Sequence, residues 1–228
     1  MYKRLKEAGF RARRPLVRPT LRQRHRNYRV TWGQNHQWTQ HQWRKVLFSD
    51  ESRFKLRQSD GRNRVYRRTG ERFEDDCIFQ TEAFGGGSVI VWAGISIGGR
   101  TDLVFVDGNL NSQLYINEIL RPHVLPYLGA MEDGAIFQDD NARPHRGRIV
   151  TAFLEQNGVQ HMNWPAISPD MSPIEHLRDM LDRQLRPQIV KNSTLNDVRR
   201  HLQAAWHNVP QQQIDRLIRS MSRGVLAQ

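Results

Sequence analysis

Three acidic residues, Asp50, Asp140 and Glu175, stand where chemistry is easiest to build. Asp50 follows the compact apolar run Val46-Leu47-Phe48, Asp140 follows Ala135-Ile136-Phe137, and Glu175 lies in the first turn of an expected helix that opens at Pro173. Such short apolar runs read as buried strands, and strand ends and a helix start can point into one crevice beside a sheet. Three carboxylates gathered there would repel one another, and burial with repulsion raises at least one pKa unless a cation neutralises the group. Oxygen-only ligation favours Mg2+ or Mn2+ over zinc. Two such ions about 3.5 to 4 Å apart activate the attacking oxygen and stabilise the leaving oxygen of an in-line phosphoryl displacement, the chemistry of nucleases and strand transfer. Acids at strand ends also occur as solvated loop side chains, so the pattern alone leaves both readings open.

The elements that must position these residues follow from periodicity. Thr20 can cap a helix to about His36, and Thr39 to Trp43 forms a helical turn. Val46 to Phe48 reads as a strand. Ser88 to Ser96 is the strongest strand signal, and after the Gly98-Gly99 turn Leu103 to Val106 is its hairpin partner. Leu114 to about Tyr127 reads as an amphipathic helix, 135–137 as a strand, Pro144 to Gln156 as a helix and Val159 to Trp164 as a strand. The helix from Pro173 buries Ile174, Leu177, Leu181 and Leu185 on one stripe, and helices over 195–208 and 211–222 end the chain. This order describes an α/β fold, a mixed five-stranded sheet flanked by helices and compatible with a ribonuclease H-like architecture.

Composition narrows the partners. With 228 residues, 35 Lys plus Arg against 23 Asp plus Glu and a net charge of +12, the chain is one domain of ordinary size that seeks polyanions, nucleic acid ahead of anionic membrane. No stretch approaches the ~18 apolar residues of a spanning helix. The basic N-terminus lacks the apolar core of a secretory signal, which implies an intracellular protein. The single cysteine, Cys77, excludes an internal disulfide and a cysteine-based zinc cluster.

Residues 1–19 read as the remnant of a larger domain followed by a basic linker whose Arg11, Arg13 and Arg14 suit either a DNA-binding arm, tracking phosphates or the minor groove, or a solvated charged connector, and residues 20–228 read as the main domain. The polar segment 57–87, rich in Arg and Gly, reads as an inserted clamp rather than core. Its Arg62, Arg64, Arg67, Arg68 and Arg72 suit phosphate contacts, which position DNA without reading it. Asn141 and His145, just past the second carboxylate, are candidate DNA contacts with simple hydrogen bonding as the alternative. Glu51 is expected in solvent, and Trp92 and Trp164 in packing.

Four segments carry a resemblance: Phe48-Ser49-Asp50-Glu51-Ser52, Gly85 to Trp92, Phe137-Gln138-Asp139-Asp140-Asn141 and Ser168 to Leu177. They resemble the mariner and Tc transposase superfamily over about residues 1–190, and thirty-four residues separate Asp140 from Glu175, the Tc-like spacing. The resemblance implies a DDE transposase whose Asp50, Asp140 and Glu175 hold two catalytic Mg2+ or Mn2+ ions, with no organic cofactor. It implies nicking of double-stranded DNA at transposon ends, attack of the freed 3′ hydroxyl on target TA sites, a dimer on DNA and a nuclear location. It places Asp140 ahead of Asp139 as ligand, makes 57–87 a clamp between subunits, and makes residues 1–19 the end of a helix-turn-helix domain. Two positions depart from the family pattern: Arg178 stands where a tryptophan is usual, and Ser172 where an asparagine is expected. An inactive or domesticated DNA-binding relic, and a nuclease acting on RNA or hybrids, are the competing readings.

Overall fold

The computed structural model describes residues 21–57, 86–190 and 192–221. Arg11, Arg13, Arg14 and Thr20, the expected clamp arginines 62, 64, 67, 68 and 72, and Cys77 lie outside the described residues. Within them the chain forms a six-stranded mixed sheet: β1 (Val46–Lys55), β2 (Ser88–Ser96), β3 (Gly99–Arg100), β4 (Val104–Val106), β5 (Ile136–Gln138) and β6 (Gln160–His161). The order is β3-β2-β1-β5-β6, with β4 also on β2. β1 is antiparallel to β2 and parallel to β5, and β5 is parallel to β6. The strand beyond the expected five is β3, the short arm made when the chain turns at Gly98, whose φ of +85° suits a residue without a Cβ.

β1 is longer than its apolar run implies. Its pairing with β2 continues from Phe48 to Lys55, and alternation carries on past the acids, with Ser52 and Phe54 buried and Arg53 and Lys55 exposed. Neighbour pairing therefore extends a strand that hydrophobicity alone would end. β6 is shorter than expected, because β5, on which it pairs, itself stops at Gln138.

Helices cover both faces. On one side lie α1 (Gln23–Asn35), α2 (Gln40–Arg44), α6 (Pro173–Leu185), α7 (Leu195–Asn208) and α8 (Gln211–Arg219). Their Trp32, Trp43, Leu177, Leu202 and Ile218 pack with Val46, Phe48, Val91 and Ile95 of the sheet. The expected turn from Thr39 is α2, and Thr39 caps it, its Oγ1 accepting from Gln42 N–H at 3.4 Å while Gln42 Oε1 accepts from Thr39 N–H at 2.9 Å.

On the other side α3 (Ser112–Leu114) runs into a π-helical stretch (Tyr115–Val124), then α4 (Leu125–Ala130), with α5 (Arg148–Gln156) beside them. Leu47, Trp92 and Phe137 of the sheet pack there with Tyr115, Ile119, Leu120 and Val150. Pro122 sits inside the π-helical stretch; it has no N–H to donate and its ring crowds an ordinary α-turn, which a wider turn relieves. α5 starts at Arg148 rather than near Pro144, because 142–147 forms turns that bring His145 against the site. The result is a helix–sheet–helix sandwich, and no helix among the described residues is long and apolar enough to cross a membrane.

Candidate active site

The parallel ladder between β1 and β5 ends at Phe48 and Gln138. Asp50 and Asp140 each lie two residues beyond that last couple, so the register itself carries them to the same height as the strands part. Asp50 is thus in mid-strand, still paired with β2 opposite Ala93, and not at a strand end. Glu175 enters from the first turn of α6, where Pro173 occupies the first position. All three acids line one cleft of about 370 Å³, together with Ser49, Gln138, Trp164 and Ser172.

The electrostatics follow from this convergence. The Asp50 carboxyl is pushed well above the usual carboxylate range, first by burial and then by the charges of Glu175 and Glu51, although Ser52 Oγ donates to it at 3.0 Å. Glu175 is raised too, by burial, against the opposing pull of Arg178, whose Nη1 lies 2.6 Å from Glu175 Oε2. Asp140 is lowered: burial opposes ionisation there, but His145 and the Ala142 N–H, 2.8 Å from Oδ1, outweigh it. Gln138 Oε1 and Ser172 Oγ line the same cleft without a hydrogen-bond partner. A repelling carboxylate trio with spare oxygen acceptors fits a hard divalent cation.

Behind Asp140 lies a cluster that the sequence did not announce. His145, 2% exposed, has Nδ1 2.8 Å from Asp140 Oδ1 and Nε2 3.1 Å from Glu51 Oε2, and its ring stacks on Tyr115 with centroids 4.2 Å apart. Burial alone would lower its pKa, but the hydrogen bonds it donates to Asp140 and Glu51 raise it to about 11. His145 is therefore an imidazolium held between two acids, with no face left for DNA. Glu51, expected in solvent, is part-buried beneath it. Glu51, Asp140 and His145 also place one ligand atom each within 4.8 Å of one another. The imidazolium already satisfies both acids. Asn141 is exposed, yet its amide donates to the Trp164 carbonyl at 2.8 Å and accepts from Arg146 at 2.9 Å.

Asp139 points the other way, as alternation requires. It is 1% exposed and pairs with Arg146 and His161, each at 3.0 Å. Trp164 and Trp92 are buried, as expected, with Trp164 edge-on to Trp32 at 4.9 Å.

The far wall of the cleft is tied down by α1. Arg29 Nη1 and Nη2 donate to the two oxygens of Asp170 at 2.7 and 2.6 Å, and Nη1 also reaches Ser168 Oγ at 3.2 Å and the Ile167 carbonyl at 3.3 Å. Ile167 has φ +56°, a conformation a β-branched residue adopts only when its surroundings impose it. Neither this clamp nor the contact of His145 with Glu51 is visible in sequence, because the partners lie 141 and 94 residues apart.

A family model described as DDE superfamily endonuclease matches residues 45–214, which contain all three cleft acids. The chain is 34% identical over 223 residues to the Tcb2 transposable-element transposase of Caenorhabditis briggsae, covering 97% of this chain and 81% of that protein. It is 33% identical over 225 residues to the Tc1 transposase of Caenorhabditis elegans, with the same coverage. The chain belongs to the mariner/Tc family of DDE transposases. This transposase domain also has the fold of the Mos1 strand transfer complex, with a TM-score of 0.77 and 17% identity, covering 99% of this chain and 67% of that one. The isolated Mos1 catalytic domain superposes with a TM-score of 0.67 at 16% identity, covering 92% and 95% of the two chains. The ribonuclease H-like core expected from element order is therefore the fold, and the catalytic unit is of the DDE endonuclease type found in Tc transposases.

Proposed function

We propose that this domain cleaves double-stranded DNA at transposon ends and joins the freed 3′ hydroxyl to target DNA at TA sites, as a dimer on DNA in the nucleus. Asp50, Asp140 and Glu175 are the residues that would hold divalent Mg2+ or Mn2+. Two such ions, when bound, supply charge neutralisation for both the attacking and the leaving oxygen of an in-line displacement.

The observation that carries the reading is the convergence of Asp50, Asp140 and Glu175 on one cleft, with Asp50 raised well above the ordinary carboxylate range. Each acid is presented differently. Asp50 is fixed by its paired strand, Asp140 is oriented by the Ala142 N–H and the His145 imidazolium, and Glu175 is carried on a helix start. Ligands on rigid elements need little reorganisation as charge develops. The net charge of +12 over the whole chain suits a polyphosphate substrate. Solved relatives support the reading, since Mos1 structures are described as a paired-end complex with the left transposon end and as catalytic domains with Mn and with Mg.

The test is nicking of supercoiled plasmid at low salt with Mn2+, comparing the unaltered chain with Asp140→Asn. Nicking by the former and not the latter is the expected result. Equal nicking by both would overturn the assignment, and nicking by neither would favour a DNA-binding relic.

A further inference from the structure

Arg178 stands one helical turn beyond Glu175 on α6, and its guanidinium lies against that acid as an ion pair that leaves the buried Glu175 Oε2 without a formed hydrogen bond. Arg178 Nη1 lies 2.6 Å from Glu175 Oε2, while Nη2 lies 3.3 Å from Asp179 Oδ1. Glu175 is only 17% exposed, whereas Arg178 is 41% exposed and can leave without crossing protein. A cation cannot use both Glu175 oxygens while the guanidinium keeps one. The freed guanidinium keeps only the longer contact to the exposed Asp179, and a DNA phosphate is the further anion that the proposed substrate brings.

Given that Glu175 holds metal as proposed above, we propose that Arg178 is an exchangeable counter-ion: it occupies Glu175 in the metal-free protein and transfers to a DNA phosphate when a divalent cation binds. Metal and DNA then favour one another's binding, because each removes a competitor of the other, and linkage makes the effect reciprocal. Arg178 acts through Glu175 and is a positioning residue, not a catalytic one. A part-exposed ion pair of this kind shifts affinity by roughly three- to ten-fold.

The experiment is titration of the chain with Mn2+, followed by the electron paramagnetic resonance signal of the free ion, with and without a short DNA duplex. Wild type, Arg178→Gln, Arg178→Lys and Asp140→Asn are compared. Without DNA, Arg178→Gln is expected to bind Mn2+ several-fold more tightly than wild type, whereas Arg178→Lys, which keeps the charge, stays near wild type. Duplex is expected to tighten Mn2+ binding by wild type and to add little to Arg178→Gln. Unchanged Mn2+ affinity in Arg178→Gln, or equal tightening by duplex in both proteins, would overturn the counter-ion role while leaving the metal reading intact. Mn2+ binding that Asp140→Asn does not weaken would instead overturn the metal reading, and the counter-ion role with it.

Discussion

Arg29 and Asp170 meet through two parallel hydrogen bonds of 2.7 and 2.6 Å, joining α1 to the turn that precedes the helix of Glu175. Because Arg29 is largely buried and also serves Ser168 and the Ile167 carbonyl, its loss frees a whole wall of the cleft. Arg29→Ala should lower stability by about 1–2 kcal/mol, a figure reduced for the exposure of Asp170. The DNA-cleavage rate should fall at least ten-fold with little change in the amount of DNA bound. Arg29→Lys should recover stability in part and cleavage poorly, since a lysine cannot fork. Chemical denaturation and single-turnover cleavage check this, and a wild-type cleavage rate in Arg29→Ala would show that the clamp does not position the site.

The acids of the cleft should trade stability against function. Neutralising Asp50 removes a charge disfavoured by burial and by Glu175, so Asp50→Asn should raise the thermal midpoint of the metal-free protein by a few degrees while abolishing cleavage. Mg2+ or Mn2+ should raise the midpoint of wild type and leave Asp50→Asn almost unmoved. Thermal melts with and without metal decide the matter; a destabilised Asp50→Asn would mean that the carboxylate is satisfied by the protein alone.

What sequence could and could not show divides along physical lines. Val46 to Phe48 and Ile136 to Phe137 were legible as strands because apolar runs report burial directly. Asp50 and Asp140 were legible because they follow those runs, and their common height is a consequence of parallel register. The second half of β1 was not legible, since Ser52 to Lys55 is held by its neighbour rather than by composition. His145 takes the simple hydrogen-bonded role open to a histidine near a helix start, but Glu51 was misjudged for a related reason: a polar pair 94 residues apart can enter a core once each satisfies the other, and nothing local records that. The Arg178–Glu175 pair is the converse, an i,i+3 contact that helical spacing allows but whose consequence depends on Glu175 being in the cleft.

Gly94 tests the packing that holds the acids level. A Cβ at this position would lie 2.8 Å from Leu47 Cδ1 and 3.1 Å from Thr101 Cγ2, while its N–H donates to Thr101 Oγ1 at 2.8 Å. Leu47 is fully buried and cannot yield freely. Gly94→Ala should therefore cost about 1–3 kcal/mol through overpacking, despite the lower chain entropy that alanine brings to the unfolded state. Urea denaturation measures it, and a stabilised variant would contradict the close approach of β1 and β2 at this point.

The His145 imidazolium makes a pH prediction with a definite sign. Its folded pKa, about 11, lies above the ordinary value of 6.5, so between those values the folded protein binds a proton that the unfolded chain has released. Stability from this group is complete below about pH 6.5 and is lost steadily as pH rises towards 11, at a slope approaching about 1.4 kcal/mol per pH unit. The raised Asp50 and Glu175 also cost stability as pH climbs above the ordinary carboxylate values, but both proteins carry them, so the comparison between wild type and His145→Gln isolates the imidazolium. His145→Gln should be less stable than wild type at pH 6 because Glu51 and Asp140 lose their shared cation, and the difference should shrink by pH 9. Denaturation midpoints of both proteins at pH 6, 7.5 and 9 provide the test. Parallel curves would mean that His145 is neutral in the folded protein, and that Glu51 or Asp140 carries the proton between them instead.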